Sequence, residues 1–287
     1  MKFVRYAVNG RSPQIGLVKE NFVYDLSAVV PSMQTVIGLS ADGLAIIEQR
    51  AASANQTPLA EVKLHAPLLP RRNVMCLGLN YAEHAHESLS ALGQNVALPE
   101  LPIVFTKATT AVSGPTDPIP FDPQVSDKID WEVELAVIIG KRGKNIPAEQ
   151  AMEYVFGYTV LNDISARDLQ RQGKQYFKGK SLDGSCPIGP WIVTRDELPN
   201  PQDLNIRCLV NGVEKQSSNT RHMIFDIPAT IAYLSRGMTL LPGDIIATGT
   251  PDGVGFARTP PEFLHPGDVV TSSVEGIGEL RNVVTAV

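Results

Sequence analysis

The sequence predicts an α+β fold that is mostly β. Short runs rich in β-branched and aromatic residues outnumber the helical patterns. These runs are not joined in regular βαβ units, which argues against a doubly wound sheet. Asn211-Gly212 between two strand-like runs is the strongest short hairpin signal in the chain.

In chain order, Phe3–Val8, Ile15–Lys19 and Phe22–Leu26 read as short strands separated by turn residues. Ala41–Ala52 carries a helical pattern. The Pro-rich passage HAPLLPRRN then marks a seam, so residues 1–68 are expected to form a small β-rich accessory domain and residues 69–287 the main domain. Val74–Gly78 reads as a buried strand. Tyr81–Leu92 reads as a helix with Asn80 as N-cap and Gly93 as its stop. Ile103–Lys107 and Trp131–Ile139 are strands. Pro147–Phe156 is expected to be a helix ended by Gly157, followed by the strand Tyr158–Asn162. Ser165–Arg171 is expected to be a short helix capped by Ser165. Ile206–Val210 leads into the hairpin. Asp226 caps a helix that Gly237 ends, Asp244–Thr248 is a strand, and Val269–Val274 and Leu280–Val287 close as antiparallel strands.

Of the 287 residues, 43% are apolar and 19% charged, enough apolar side chains for a sizeable core. A net charge of −5 argues against a nucleic-acid or anionic-membrane partner, which would want a basic field. No apolar run is long enough to span a bilayer. The start of the chain, MKFVRYAVNGRS, lacks an apolar secretion signal, and a cytoplasmic location is expected. Cys76, Cys186 and Cys208 are odd in number and lack a CxxC spacing, so they read as buried free thiols. Cys186 has no neighbouring histidine to make it a nucleophile.

The most informative segment is DWEVELAVIIG. Glu132 and Glu134 are two residues apart and on a strand share one face, just before a continuous apolar run. They form either a half-exposed strand edge or, with Asp163 from a second strand end, a hard-oxygen cage for Mg²⁺, Mn²⁺ or Ca²⁺. In NDISARDLQ, Asp163, Arg167 and Gln170 fall at i, i+4 and i+7, so they form either a polar stripe facing a pocket or a solvated face with an internal ion pair. In LGLNYAEHAHE, His84 and Glu87 have the spacing of a base and its orienting carboxylate. Glu83 and His86 form a similar pair on the next face, which leaves an exposed, mixed-charge helix as the alternative. Lys178 and Lys180 in FKGKS offer a cation, and Thr248–Pro251 offers hydroxyls and amides to a carboxylate. The TGTP loop lacks the P-loop pattern, and no nucleotide is implied.

Taken in order, NYAEHAHE, the E-x-E of DWEVELAVIIG, NDISARDLQ, KGKS and GDIIATGTPDGVG resemble the fumarylacetoacetate hydrolase family over about residues 70 to 287. The resemblance implies a mixed β-roll with the active site at the mouth of its sheets. It implies Glu132, Glu134 and Asp163 as ligands of Mg²⁺, Mn²⁺ or Ca²⁺, and His84 and Glu87 as a dyad on a lid helix. It places Lys180, Arg167, Gln170 and Thr250 toward the substrate, and implies a homodimer. It further implies a 2-oxo acid substrate. The expected reaction is hydrolysis of a C–C bond in a 2,4-dioxo acid, with His84 and Glu87 activating water and Lys180 holding developing charge. The alternative on the same site is an oxaloacetate-type decarboxylase or a 2-hydroxy-dienedioate isomerase. A metal-stabilised binding protein without turnover is a third reading, opposed by the presence of a base beside the cage.

Overall fold

The computed structural model describes residues 1–95, 97–173 and 175–287. Val96 lies outside them, in the stretch Ser88–Glu100 that, from its place in the sequence between the dyad and the next strand, is expected to shape the substrate pocket.

The strand Val133–Ile139 is buried along its whole length because both of its faces are covered. That explains an apolar run without alternation. It pairs antiparallel with Val155–Asn162 on one side and with Ile245–Ala247 on the other. From this centre a 12-stranded sheet extends in both directions. One direction leads through Val74–Gly78 to Ile103–Lys107 at the edge. The other leads through Cys186–Thr194 to the first strands of the chain. A 5-stranded sheet holding the Asn205–Val210 and Val213–Asn219 hairpin and the two closing strands stacks on one face. Asn211 and Gly212 both adopt left-handed backbone (φ 52° and 78°), as a two-residue hairpin turn requires.

Alternation along Val133–Ile139 divides two apolar clusters. Leu135, Val137 and Ile139 face the 5-stranded sheet and pack with Ile206, Val270 and Leu280. Ala136 and Ile138 face the other way and pack with Phe3, Leu17, Leu26 and Val36. The boundary at residue 68 is thus a division in chain order; in space, Lys2 and Phe3 pair with Val193 and Ile192 and share that second cluster.

Several local expectations change. The strand containing the acidic pair starts at Val133 rather than Trp131, because Ile129–Asp130 pairs with Ser165–Ala166 in a separate 2-stranded ladder. Ser165 is therefore a strand residue whose hydroxyl donates to its near neighbour Asp163 O, and the helix runs Arg167–Gln172 without a side-chain cap. Pro147–Phe156 forms a 3₁₀ segment, Ala148–Tyr154, and Val155 already belongs to the next strand. Gly157 lies inside that strand, where a Cβ would meet Val193 O at 2.1 Å, so it serves close strand packing instead of ending a helix.

Asn80 does not cap the helix Ala82–Ala91, whose N-cap is Tyr81 without a side-chain bond. Its fully buried amide ties two loops together instead. Nδ2 donates to Phe225 O (3.0 Å) and Thr248 O (2.8 Å), and Oδ1 accepts from Phe225 N (2.8 Å). Asp226, by contrast, caps Ile227–Ser235 as the sequence predicts. Asn80→Ala removes three bonds to loop backbone, the one to Thr248 O fully buried, and is expected to cost about 2–4 kcal/mol, against about 1 kcal/mol for the cap variant Asp226→Ala. Urea denaturation of the two variants checks this. Equal losses would show that the Asn80 bridge does not hold the loops.

Candidate active site

The pairing of Val133–Ile139 with Val155–Asn162 assembles the acidic cluster. Val133 lies opposite Asn162, so Glu132 comes opposite Asp163, and Asp163 N donates to Glu132 O at 2.8 Å. Residues opposite each other across antiparallel strands share a face, as do residues i and i+2 along one strand. One register therefore brings Glu132, Glu134 and Asp163 together, with carboxylate oxygens within 4.8 Å of one another. All three are buried, with Glu134 and Asp163 fully so.

Three cations face these acids. Lys180 Nζ donates to Glu132 Oε2 and to Asp163 Oδ2, both at 2.7 Å. Lys107 Nζ, fully buried, donates to Asp163 Oδ1 at 2.6 Å and to Ile164 O at 3.1 Å. Arg167 Nη1 meets Glu132 Oε1 at 2.7 Å and donates to Gln170 Oε1 at 3.0 Å. Its Nε donates to Asp130 Oδ2 at 2.8 Å. Arg167 is thus paired outside its own helix, and the Asp163–Arg167 helical pair considered from sequence does not form.

The cations are distributed unevenly. Burial opposes ionisation of Glu132, but Lys180, then Arg167 and His84, outweigh it and hold the carboxyl at about 2. Lys180 is itself disfavoured by burial, yet Asp163 and Glu132 push it up to about 12. Glu134 moves the other way. Burial first, then Asp163 and Glu132, raise it well above the usual carboxylate range. Its Oε2 accepts from Gly249 N at 2.7 Å, while its Oε1 is buried without a partner. An all-oxygen set with one unpartnered oxygen, short of positive charge at Glu134, fits a hard divalent ion.

The segment Gly249–Phe256 ties this cluster to the other predicted residues through its backbone amides. Gly249 N serves Glu134; Gly253 N donates to Glu87 Oε1 (3.0 Å) and Oε2 (2.9 Å); Gly255 N and Phe256 N donate to Asp130 (2.7 and 3.0 Å). Gly253 has φ +96°, and a Cβ there would meet Lys215 O at 2.0 Å, so no other residue fits. Glu87 in turn meets His84 Nδ1 at 3.0 Å. A carboxylate only accepts, so Nδ1 carries the proton and Nε2 is left with a lone pair. His84 is 5% exposed, and its partner Glu87 is held by the same loop whose Gly249 amide holds Glu134. One loop therefore ties the dyad to the acidic cluster, and the Glu83 and His86 pair takes no part in these bonds.

The structure brings His84, Glu87, Glu132, Glu134, Asp163, Arg167, Gln170 and Lys180 into one site. Thr250, expected to contact a substrate carboxylate, lies in the same loop; its hydroxyl donates to Val133 O (2.9 Å) and accepts from Gln216 Nε2 (2.8 Å), and so holds the loop to the strand. Sequence reasoning missed Lys107 and Asp130. A lysine ending the apolar run IVFT and an aspartate two residues before Glu132 were the signals, and neither is specific alone.

A sequence profile described as Fumarylacetoacetate (FAA) hydrolase C-terminal matches residues 73–285. The chain belongs to the fumarylacetoacetate hydrolase family. Within it, an oxaloacetate tautomerase of Xenopus laevis, described as mitochondrial, is 42% identical over 99% of this chain and 90% of its own length. An oxaloacetate tautomerase of Bacillus subtilis is 48% identical over 79% of this chain and 74% of its own. Among solved structures, a fumarylacetoacetate hydrolase from Exiguobacterium antarcticum superposes over 100% of both chains with a TM-score of 0.86 and 42% identity. A maleylpyruvate hydrolase from Sphingobium in complex with manganese(II) and pyruvate superposes with a TM-score of 0.81 and 32% identity, over 100% of this chain and 99% of its own. The expected β-roll family is thus correct.

Lys107→Met leaves Asp163 Oδ1 buried without its cation. Losing one partner of a buried pair costs about 3–5 kcal/mol, and urea melts in metal-free buffer are expected to show a loss of that size. Added Mn²⁺ should restore part of it by supplying counter-charge. Unchanged stability would show that Lys107 does not balance the acids.

Proposed function

We propose that this protein is a divalent-metal-dependent enzyme that moves a proton on a 2-oxo acid, as an oxaloacetate tautomerase does. The observation that carries this reading is the unpartnered Glu134 oxygen in a buried three-carboxylate cluster, beside a histidine whose Nδ1 is fixed by Glu87. The tautomerase relatives that align over nearly the whole chain support it, and move the balance from C–C hydrolysis, expected first from the sequence, to the isomerase alternative.

Glu132, Glu134 and Asp163 would hold Mg²⁺ or Mn²⁺, which when bound supplies Lewis-acid polarisation of the substrate's keto oxygen. His84 Nε2 acts as the proton carrier. In the ketonisation direction the enol oxygen loses a proton and C3 gains one, so the reaction needs neither water nor an oxidant. Glu87, gripped by the Gly253 amide, keeps the ring in the tautomer with Nε2 free. Lys180 stabilises the oxygen charge that varies as the proton moves. Burial of the group strengthens each of these interactions by excluding water.

A second reading is hydrolysis of a maleylpyruvate-type substrate, favoured by the likeness to the maleylpyruvate hydrolase bound to manganese and pyruvate. It would use the same dyad to deprotonate water. The test is ketonisation of enol-oxaloacetate followed by loss of enol absorbance, run beside cleavage of acetylpyruvate. Mg²⁺- or Mn²⁺-loaded protein is expected to accelerate ketonisation, and thorough chelation to abolish the acceleration. His84→Ala should lower kcat by about 10²–10⁴-fold. Acetylpyruvate cleavage without any effect on enol-oxaloacetate would replace the first reading with the second.

A further inference from the structure

Arg171 lies one turn beyond Arg167 on the helix Arg167–Gln172 and has no part in the site described so far. Both guanidinium groups lie over the Phe256 ring, with Cζ at 4.5 Å from its centroid for Arg167 and 4.8 Å for Arg171. Phe256 is itself fixed, because its amide donates to Asp130. Arg171 is exposed, and among the described residues no carboxylate pairs with it.

An exposed arginine with no partner ordinarily moves away from a second cation. Here both guanidinium groups lie over one ring, and an anion that reached them would offset the repulsion of their like charges. The second observation lies on Arg167. Its Nη2 is buried without a partner while Nε and Nη1 are committed to Asp130, Glu132 and Gln170. Because Nη1 touches Glu132, the Arg167 guanidinium borders the acidic cluster. The Arg167 guanidinium thus lies against both the cluster and the ring it shares with Arg171, so a ligand whose 2-oxo carboxylate end lies at the cluster can present a second carboxylate to the arginine pair.

We propose that Arg171, paired with Arg167 on Phe256, binds a second carboxylate of the substrate and so selects dicarboxylic over monocarboxylic 2-oxo acids. This rests on the reading that the site acts on a 2-oxo acid. It adds a specificity-determining residue to that reading.

Malate and lactate test it, since both are unreactive 2-hydroxy acids and they differ by the distal carboxylate. Each is titrated calorimetrically into Mn²⁺-loaded wild-type protein and into Arg171→Gln, an exposed substitution. Wild type is expected to bind malate more tightly than lactate. Loss of one charge-assisted hydrogen-bonding group is expected to weaken malate by about 10–100-fold while lactate changes less than about twofold. Arg171→Lys should retain part of the preference. A wild type that does not discriminate, or an Arg171→Gln protein that keeps the preference, overturns the assignment. The enol-oxaloacetate assay on the same wild-type sample separates this from failure of the functional reading. Turnover with unaltered discrimination removes only Arg171's role, whereas absence of turnover removes the tautomerase reading itself.

Discussion

The site depends on one strand register. With Val133 opposite Asn162, Glu132 comes opposite Asp163 and Glu134 follows on the same face. A slip of one residue would turn the acids to the other face and bring Leu135 and Val137 into the wrong cluster, so the packing that fixes the fold also fixes the carboxylates. Both faces of this strand are buried, which makes the register costly to change. Precision at the acidic cluster is therefore a by-product of a rigid sheet centre, and the groups that must approach substrate are carried on the elements around it.

The electrostatics follow from that placement. Asp130, Glu132, Glu134 and Asp163 are buried together, and Lys107, Arg167 and Lys180 answer them. The cations favour Glu132 and Asp163 and leave Glu134 with a single amide. With all four acids ionised, three bases would leave one negative charge in excess, and the raised pKa of Glu134 puts that shortfall where a hard cation would complete the set. The Gly249–Phe256 backbone then links the cluster, the dyad and the arginine through neutral amides, which orient carboxylates without adding charge that would compete with a metal.

Much of this was legible in the chain. The acidic triad, the dyad spacing, Lys180 and the hairpin could be read because each rests on short-range periodicity or on motif order. Lys107 could not, since it reaches Asp163 from an edge strand separated from Val133–Ile139 by two intervening strands. Asp130 stood just before the expected strand Trp131–Ile139, with no role assigned to it. It belongs to a small ladder that aims it at Arg167 and the loop amides. The Asn80 and Ser165 caps were misplaced for different reasons: the Asn80 amide found distant loop partners, and Ser165 was drawn into a ladder with Asp130, where its hydroxyl bonds Asp163 O. Reaction type was the least legible, because hydrolysis and proton transfer draw on the same carboxylates, cations and histidine.

The central claim is that Glu132, Glu134 and Asp163 hold one divalent ion. Anomalous diffraction from crystals soaked in Mn²⁺ measures this directly. The account predicts a single anomalous peak enclosed by the carboxylate oxygens of these three residues. Manganese found only elsewhere on the molecule, or no peak at saturating metal, would contradict it.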